Sequence, residues 1–248
     1  MKSPPVVLLL AFTLCVAVQA QKTDTKPLVK ATVDSKAASS EALTLAKASF
    51  AAHGGDKFKN VKTMVVRGAV DLTSSAFNQA ILSAFSMAYA GDKYRLELAN
   101  PIQSFKQTFD GEQTHTSVQM GFSLPPINRL GLPLLQRLGD EGFVVSALPE
   151  GKKKAGFRIT APDGYFTDFY VDEKTKQVKS YEAMYEYAGR MFSTSVDISK
   201  YRDVEGVFIP EKYSQRFDLG QLVVYGDFKT KDILLNTELA PDVFTSVK

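Results

Sequence analysis

Between Gly164 and Lys231 the chain passes through one strand-like segment after another, and the links between them are too short to hold a helix. Residues 164–171 are β-branched and aromatic, and 172–175 form a polar turn. Further strand-like runs cover 177–187, 190–200, 206–217 and 221–231, with turn residues at 203–206 and 218–220. Parallel neighbours need a crossover of a dozen or more residues, so this stretch predicts an antiparallel meander. The rest of the chain has to be built around it.

The earlier residues extend the same pattern. Residues 61–72, 79–90 and 94–98 alternate in the manner of strands. Residues 105–109 and 112–120 predict a hairpin around Asp110-Gly111. Ahead of them, Ser39 or Ser40 caps a helix with Leu43, Ala46, Lys47 and Phe50 near one face, and Gly54-Gly55 ends it. Phe58 is expected to turn inward from one further turn. At 121–127 two prolines exclude a central strand, and 128–138 predicts a short helical insert rich in leucine. Short strands at 143–148 and 156–160 lead back to the meander.

About ten or eleven strands result, with one N-terminal helix and one mid-chain insert. The fold class expected is mainly β: a strongly curved antiparallel sheet forming a half-open, unclosed β-barrel. One domain over 39–248 is the simplest division, preceded by a flexible lead-in at 21–38.

The first twenty residues read as a signal peptide. Lys2 precedes an apolar run from Val6 to Val18, and Val18-Gln19-Ala20 fits the small-x-small cleavage rule. Cleavage near Ala20 predicts a periplasmic or secreted bacterial protein. It also removes Cys15, the chain's one cysteine, which excludes disulfides and thiolate chemistry from the mature chain. The formal net charge of the whole chain is +3 with no concentrated basic field, so nucleic acid is not an expected partner.

Catalytic signatures are sparse. His53 reads as a helix cap or surface residue and His115 as part of a polar hairpin; they have no metal-ligand spacing. No nucleophile elbow or phosphate-binding glycine loop occurs. Glu182 and Glu186 share a strand face but lie roughly 13 Å apart at about 3.3 Å per residue, beyond the reach of a glycosidase pair. No enzyme activity, metal or cofactor is expected.

The apolar inventory is richer. Seventeen phenylalanines and ten tyrosines fall largely on strands, several of which are apolar on both faces. One face can pack a helix; the other needs a second layer, or a cavity that a ligand completes. Phe85, Met87, Tyr89, Leu96, Phe122, Leu124, Leu130, Leu134, Leu135, Tyr185, Tyr187 and Phe228 are the candidates to line or cover such a cavity.

Several stretches resemble the periplasmic lipoprotein-carrier and lipoprotein-receptor superfamily, which includes outer-membrane lipoprotein-sorting proteins. They are Ala52-His53-Gly54-Gly55-Asp56-Lys57-Phe58 before Val61, Phe109-Asp110-Gly111, and Phe169-Tyr170-Val171-Asp172 with Thr175 and Val178. Tyr201-Arg202-Asp203-Val204-Glu205-Gly206-Val207-Phe208-Ile209-Pro210 follows, then Leu235-Asn236-Thr237-Glu238-Leu239 with Phe244. The resemblance implies a hydrophobic cavity partly covered by helices, binding lipid or lipoprotein acyl chains in the cell envelope without covalent chemistry. A membrane surface or an envelope protein would then be the further partner, and a monomer is expected. It further implies that 121–138 is a mobile cover, the bland alternative being a permanently packed helix. Such carriers hold the closed cover with an arginine; no motif assigns that role, leaving Arg67, Arg95 and Arg129. The competing function is a structural or protein-interaction module of the envelope that uses the same sheet without a ligand.

Overall fold

The computed structural model describes residues 36–74, 79–101, 104–117, 124–149, 154–187, 189–218 and 222–245. The signal peptide, nearly all of the lead-in, Phe122 and Lys152-Lys153 lie outside them.

Twelve strands are found among the described residues. They are β1 (Thr63–Ser74), β2 (Ile81–Ala90), β3 (Lys93–Ala99), β4 (Phe105–Phe109), β5 (Thr114–Thr116), β6 (Val144–Ser146), β7 (Gly156–Thr160), β8 (Phe166–Val171), β9 (Val178–Tyr187), β10 (Arg190–Val204), β11 (Val207–Asp218) and β12 (Val223–Leu235). All belong to one antiparallel sheet in the order β5-β4-β3-β2-β1-β12-β11-β10-β9-β8-β7-β6. Every pairing joins sequence neighbours except β1–β12, which places Met64 opposite Leu235 and Ser74 opposite Val224.

The expected half-open, strongly curved barrel is therefore corrected: the sheet is a single open array. Its outermost strands, β5 and β6, have three residues each, and each pairs on one side only. No pairing among the described residues joins these edges. The second layer that would have come from the sheet wrapping on itself is supplied by helices and by an irregular strap, residues 124–143.

Helix α1 (Lys36–Ala52) begins just ahead of the expected serine caps, and its buried stripe is Ala42, Ala46 and Ser49, continuing to His53. These positions recur at helical spacing. Leu43 and Lys47, expected on that face, are exposed. The stripe packs against β6, β7 and α3. The one-turn α2 (Asp56–Lys59) buries Phe58. Within the strap, only α3 (Leu132–Gln136) is helical; Pro133 sits in its first turn, where a missing N–H costs nothing.

Two large apolar clusters share one face of the sheet. The first joins α1, α2 and α3 to β7–β11 through Phe58, Leu134, Leu135, Phe157, Ile159, Phe169, Val196 and Ile209. The second joins β1–β4 to β11 and β12 through Val66, Val70, Phe85, Leu96, Phe105, Phe217 and Phe228, with Leu124 of the strap. Met64, Tyr213 and Ile233 touch both. The C-terminal segment is fastened beside the start of β1 and to β3. Asn236 Oδ1 accepts the Lys62 N–H at 2.8 Å, and Arg95 Nη1 donates to the Val243 carbonyl at 2.9 Å.

Candidate functional site

The two clusters leave a gap between the sheet and the strap. It is a cavity of about 110 Å³. Met64 and Val66 of β1, Met87 and Tyr89 of β2, Tyr181 of β9, Thr194 and Val196 of β10, and Ile209, Pro210, Tyr213 and Gln215 of β11 form its wall. Pro125, Ile127, Leu130, Leu132, Pro133 and Gln136 of the strap roof it, and Phe58 closes one side. None of these residues is ionised. A single buried water needs about 10–15 Å³ on this measure, so the space is well beyond a packing defect. A second hollow of about 400 Å³ adjoins it, sharing Phe58, Met64, Tyr89, Pro133, Gln136 and Ile209, and adds Lys59, Lys62, Arg137 and Asp140.

The roof is held by polar contacts at its ends. At one end, the fully buried Gln107 of β4 pairs with the backbone of Leu124: its Nε2 donates to the carbonyl at 3.0 Å and its Oε1 accepts the N–H at 2.9 Å. The same Nε2 donates to Tyr94 Oη at 2.7 Å. At the other end, Gln136 Nε2 donates to the carbonyls of Phe58 and Val61 at 2.8 and 2.9 Å. Lys59 Nζ reaches Asp140 at 2.6 Å as well as the Gln136 and Leu138 carbonyls. Between these ends Gly131 donates to Thr167 Oγ1. Gly131 has φ +63°, and a Cβ there would lie 2.6 Å from the Tyr181 ring, so glycine is required twice over.

Of the three arginines, Arg129 belongs to the roof. It lies 5.5 Å from the ring centres of both Phe109 and Tyr165 and 3.0 Å from Asp163. Arg95 is tied to Glu97 and to Val243, and Arg67 is exposed.

The structure brings Met87, Tyr89 and Leu130 together at the cavity. Phe85, Leu96, Leu124 and Phe228 pack in the second cluster, and Leu134 and Leu135 in the first. Tyr185 packs with Leu130, Ala183 and Phe192; with Leu124 it also lines a polar hollow beside Arg129 and Glu186. Phe122 and the Tyr187 side chain lie outside the description. Sequence reasoning missed Tyr181, Tyr213, Thr194 and Gln215. The first two were legible by alternation, since Tyr181 shares parity with Tyr185 and Tyr213 with Phe217. Thr194 and Gln215 carried no apolar signal.

His53 is the clearest departure from expectation. It is completely buried rather than a surface cap. Its Nε2 accepts the Val178 N–H at 3.0 Å and its Nδ1 faces the Phe208 carbonyl at 3.2 Å, so the neutral ring carries its proton on Nδ1. The His53 carbonyl in turn accepts the Phe208 N–H, and Tyr201, edge-on to the imidazole at 5.0 Å, donates to the Val178 carbonyl at 2.6 Å. Burial lowers the His53 pKa from 6.5 to about 4, outweighing the opposing bond to Phe208. Glu182 and Glu186, by contrast, are exposed and outside the cavity wall. Among the described residues no three His, Cys, Asp or Glu side chains are grouped to hold a metal ion.

An open antiparallel sheet with a strap and helices laid over one face, and an uncharged hollow beneath them, is thus the class of architecture. The fold has counterparts among solved proteins. The fold is similar to that of the LolA superfamily protein NE2245 from Nitrosomonas europaea, with a TM-score of 0.50 at 14 % identity over 83 % of this chain and 97 % of that one. Two further structures match more loosely. An outer membrane lipoprotein-sorting protein domain from Vibrio parahaemolyticus has a TM-score of 0.46 at 11 % identity, covering 84 % of this chain and 97 % of that one. A DUF1329 family protein from Desulfovibrio piger has 0.45 at 10 % identity, with the same coverage. No family model and no curated protein matches the sequence.

Proposed function

We propose that this chain is an exported binding protein for a hydrophobic ligand, a lipid or the acyl chains of a lipoprotein, acting in the bacterial cell envelope without covalent chemistry. The observation that carries this reading is the cavity wall: eighteen residues from five strands, α2 and the strap, none of them charged. Burying a charge there would be costly, whereas burying alkyl groups is favourable at about 25 cal/mol per Å². The roof crosses the sheet as irregular backbone and one short helix, which is the kind of element that opens locally while a sheet stays paired. The fold likeness to a LolA superfamily protein and the signal-peptide pattern of the first twenty residues support the same reading. Residues 39–248 act as one domain in it.

The test is binding of the environment-sensitive dye N-phenyl-1-naphthylamine, together with native mass spectrometry of protein purified without added lipid. Saturable dye binding that an added acyl lipid displaces is the expected result. Ile127→Glu, which puts a charge into the roof, should weaken it at least about tenfold with an unchanged circular-dichroism spectrum. Absence of saturable binding, with no lipid carried through purification, would overturn the reading and favour an envelope protein-interaction module.

A further inference from the structure

The cavity is apolar but its wall is not featureless. Three tyrosines, from β2, β9 and β11, point their rings into it: Tyr89, Tyr181 and Tyr213. Their positions are fixed from behind. Tyr213 stacks on Phe228 at 4.6 Å with an interplanar angle of 4°, and Tyr181 is wedged against Gly131. Burial raises all three phenol pKa values; Tyr213 is raised further by Tyr89 and Tyr181, and Tyr89 by Tyr181 and Tyr94. Tyr181 lies opposite Val196 of β10, and Val196 opposite Gln215 of β11, two residues from Tyr213, so the β9 and β11 rings line one stretch of the wall. All three hydroxyls remain protonated donors at physiological pH.

The other side-chain donors of the wall have partners, and the amide oxygens of Gln136 and Gln215 are acceptors that cannot serve a carbonyl. Thr194 Oγ1 donates to the Arg216 carbonyl and accepts from Gln215 Nε2, and Gln136 Nε2 is used by Phe58 and Val61. Tyr89 has a long contact of 3.7 Å to Met87 Sδ. Tyr181 and Tyr213 have no hydrogen-bond partner among the described residues. A ligand of pure hydrocarbon would leave these donors dry and unpaired, which is unfavourable. A carboxylate or phosphate would enter a wall with no Lys, Arg or His to neutralise it.

Building on the hydrophobic-ligand reading, we propose that the Tyr181–Tyr213 pair, with Tyr89 beside it, is a subsite for a neutral carbonyl oxygen. The ligand is then an acyl ester or acyl amide whose carbonyl lies against β9 and β11 while its alkyl chain fills the space beneath the strap. Esters and amides supply the same acceptor, and the experiment separates them.

The test uses displacement of bound N-phenyl-1-naphthylamine from the full mature chain by 1-lauroylglycerol, N-lauroylethanolamine and dodecane. One or both carbonyl compounds should displace the dye at a concentration at least about tenfold below dodecane, and the tighter of the two identifies the source. Tyr181→Phe and Tyr213→Phe should each weaken the carbonyl ligand by about five- to tenfold, the range of one buried hydrogen bond, with dodecane unchanged. Tyr201→Phe, whose hydroxyl already serves Val178, should leave the ratio between ligands unaltered. If dodecane binds as well as the carbonyl compounds, or neither cavity variant changes the ratio, the subsite is wrong while the hydrophobic-ligand reading stands. If the dye does not bind and no lipid is carried through purification, both fall.

Discussion

His53 shows how much a single neutral imidazole can hold together. It joins the end of α1 to β9 and β11, using both ring nitrogens and its own carbonyl. Its folded pKa of about 4 lies below the unfolded value near 6.5. Between those values the unfolded chain takes up a proton that the folded chain refuses. The stabilisation is thus fully present above about pH 6.5 and is lost as pH falls towards 4, amounting to about 3 kcal/mol. Thermal unfolding followed across pH 4–7 should show this slope. His53→Leu should flatten it while lowering stability by about 2–4 kcal/mol at pH 7, because it orphans the Val178 N–H and the Phe208 carbonyl. Gly54 beside it has φ +117°, and a Cβ would meet the Gly206 carbonyl oxygen at 2.6 Å. Gly54→Ala is expected to cost about 1–3 kcal/mol, read as a lowered denaturant midpoint with an unchanged slope.

At the scale of elements, the strap is the informative one. One side-chain amide of the sheet, that of Gln107, bonds to its backbone. Gln107→Leu keeps the volume near Leu124 but removes both amide bonds to that residue's N–H and carbonyl. It should lower stability by about 2–4 kcal/mol and raise hydrogen exchange at Leu124 more than in β1 or β12; uniform loosening of the sheet would contradict a local fastening. Little of this could be read from sequence. Gln107 sits in an otherwise ordinary five-residue strand, and nothing in its neighbours tells that its amide faces a loop seventeen positions on. Prolines 125, 126 and 133 and the leucines did betray an irregular apolar segment, because loss of donors and excess of apolar residues are local properties.

For the molecule as a whole, alternation and turn residues revealed the meander, since antiparallel neighbours are set by short links. The pairing along the chain was accessible for that reason, although twelve strands stand where about ten or eleven were expected. Whether the array closes was not, because closure depends on contacts between its two ends and leaves no periodic trace. The stretches that carried the resemblance are mostly joints. His53, Gly54 and Lys57 meet Val178, Gly206 and Glu205, and Asn236 meets Lys62 and Thr63. Of those stretches, Phe58, Ile209 and Pro210 reach the cavity. A turn or joint constrains sequence wherever the scaffold recurs, whereas an apolar wall accepts many side chains of similar size. A chain ending at residue 222 loses β12, and with it both the β1–β12 and β11–β12 pairings; it should show no cooperative unfolding transition by circular dichroism.

That seam also dictates a timetable. Its two strands pair residues 150 to 171 positions apart, from Ser74–Val224 to Met64–Leu235, so the first cannot be zipped to its companion until the last has been delivered. Every nascent chain must stay unfinished at its centre through almost all of its synthesis, a slow, late-closing topology. A polypeptide whose middle cannot set early is one that a translocation channel can still thread as a linear string.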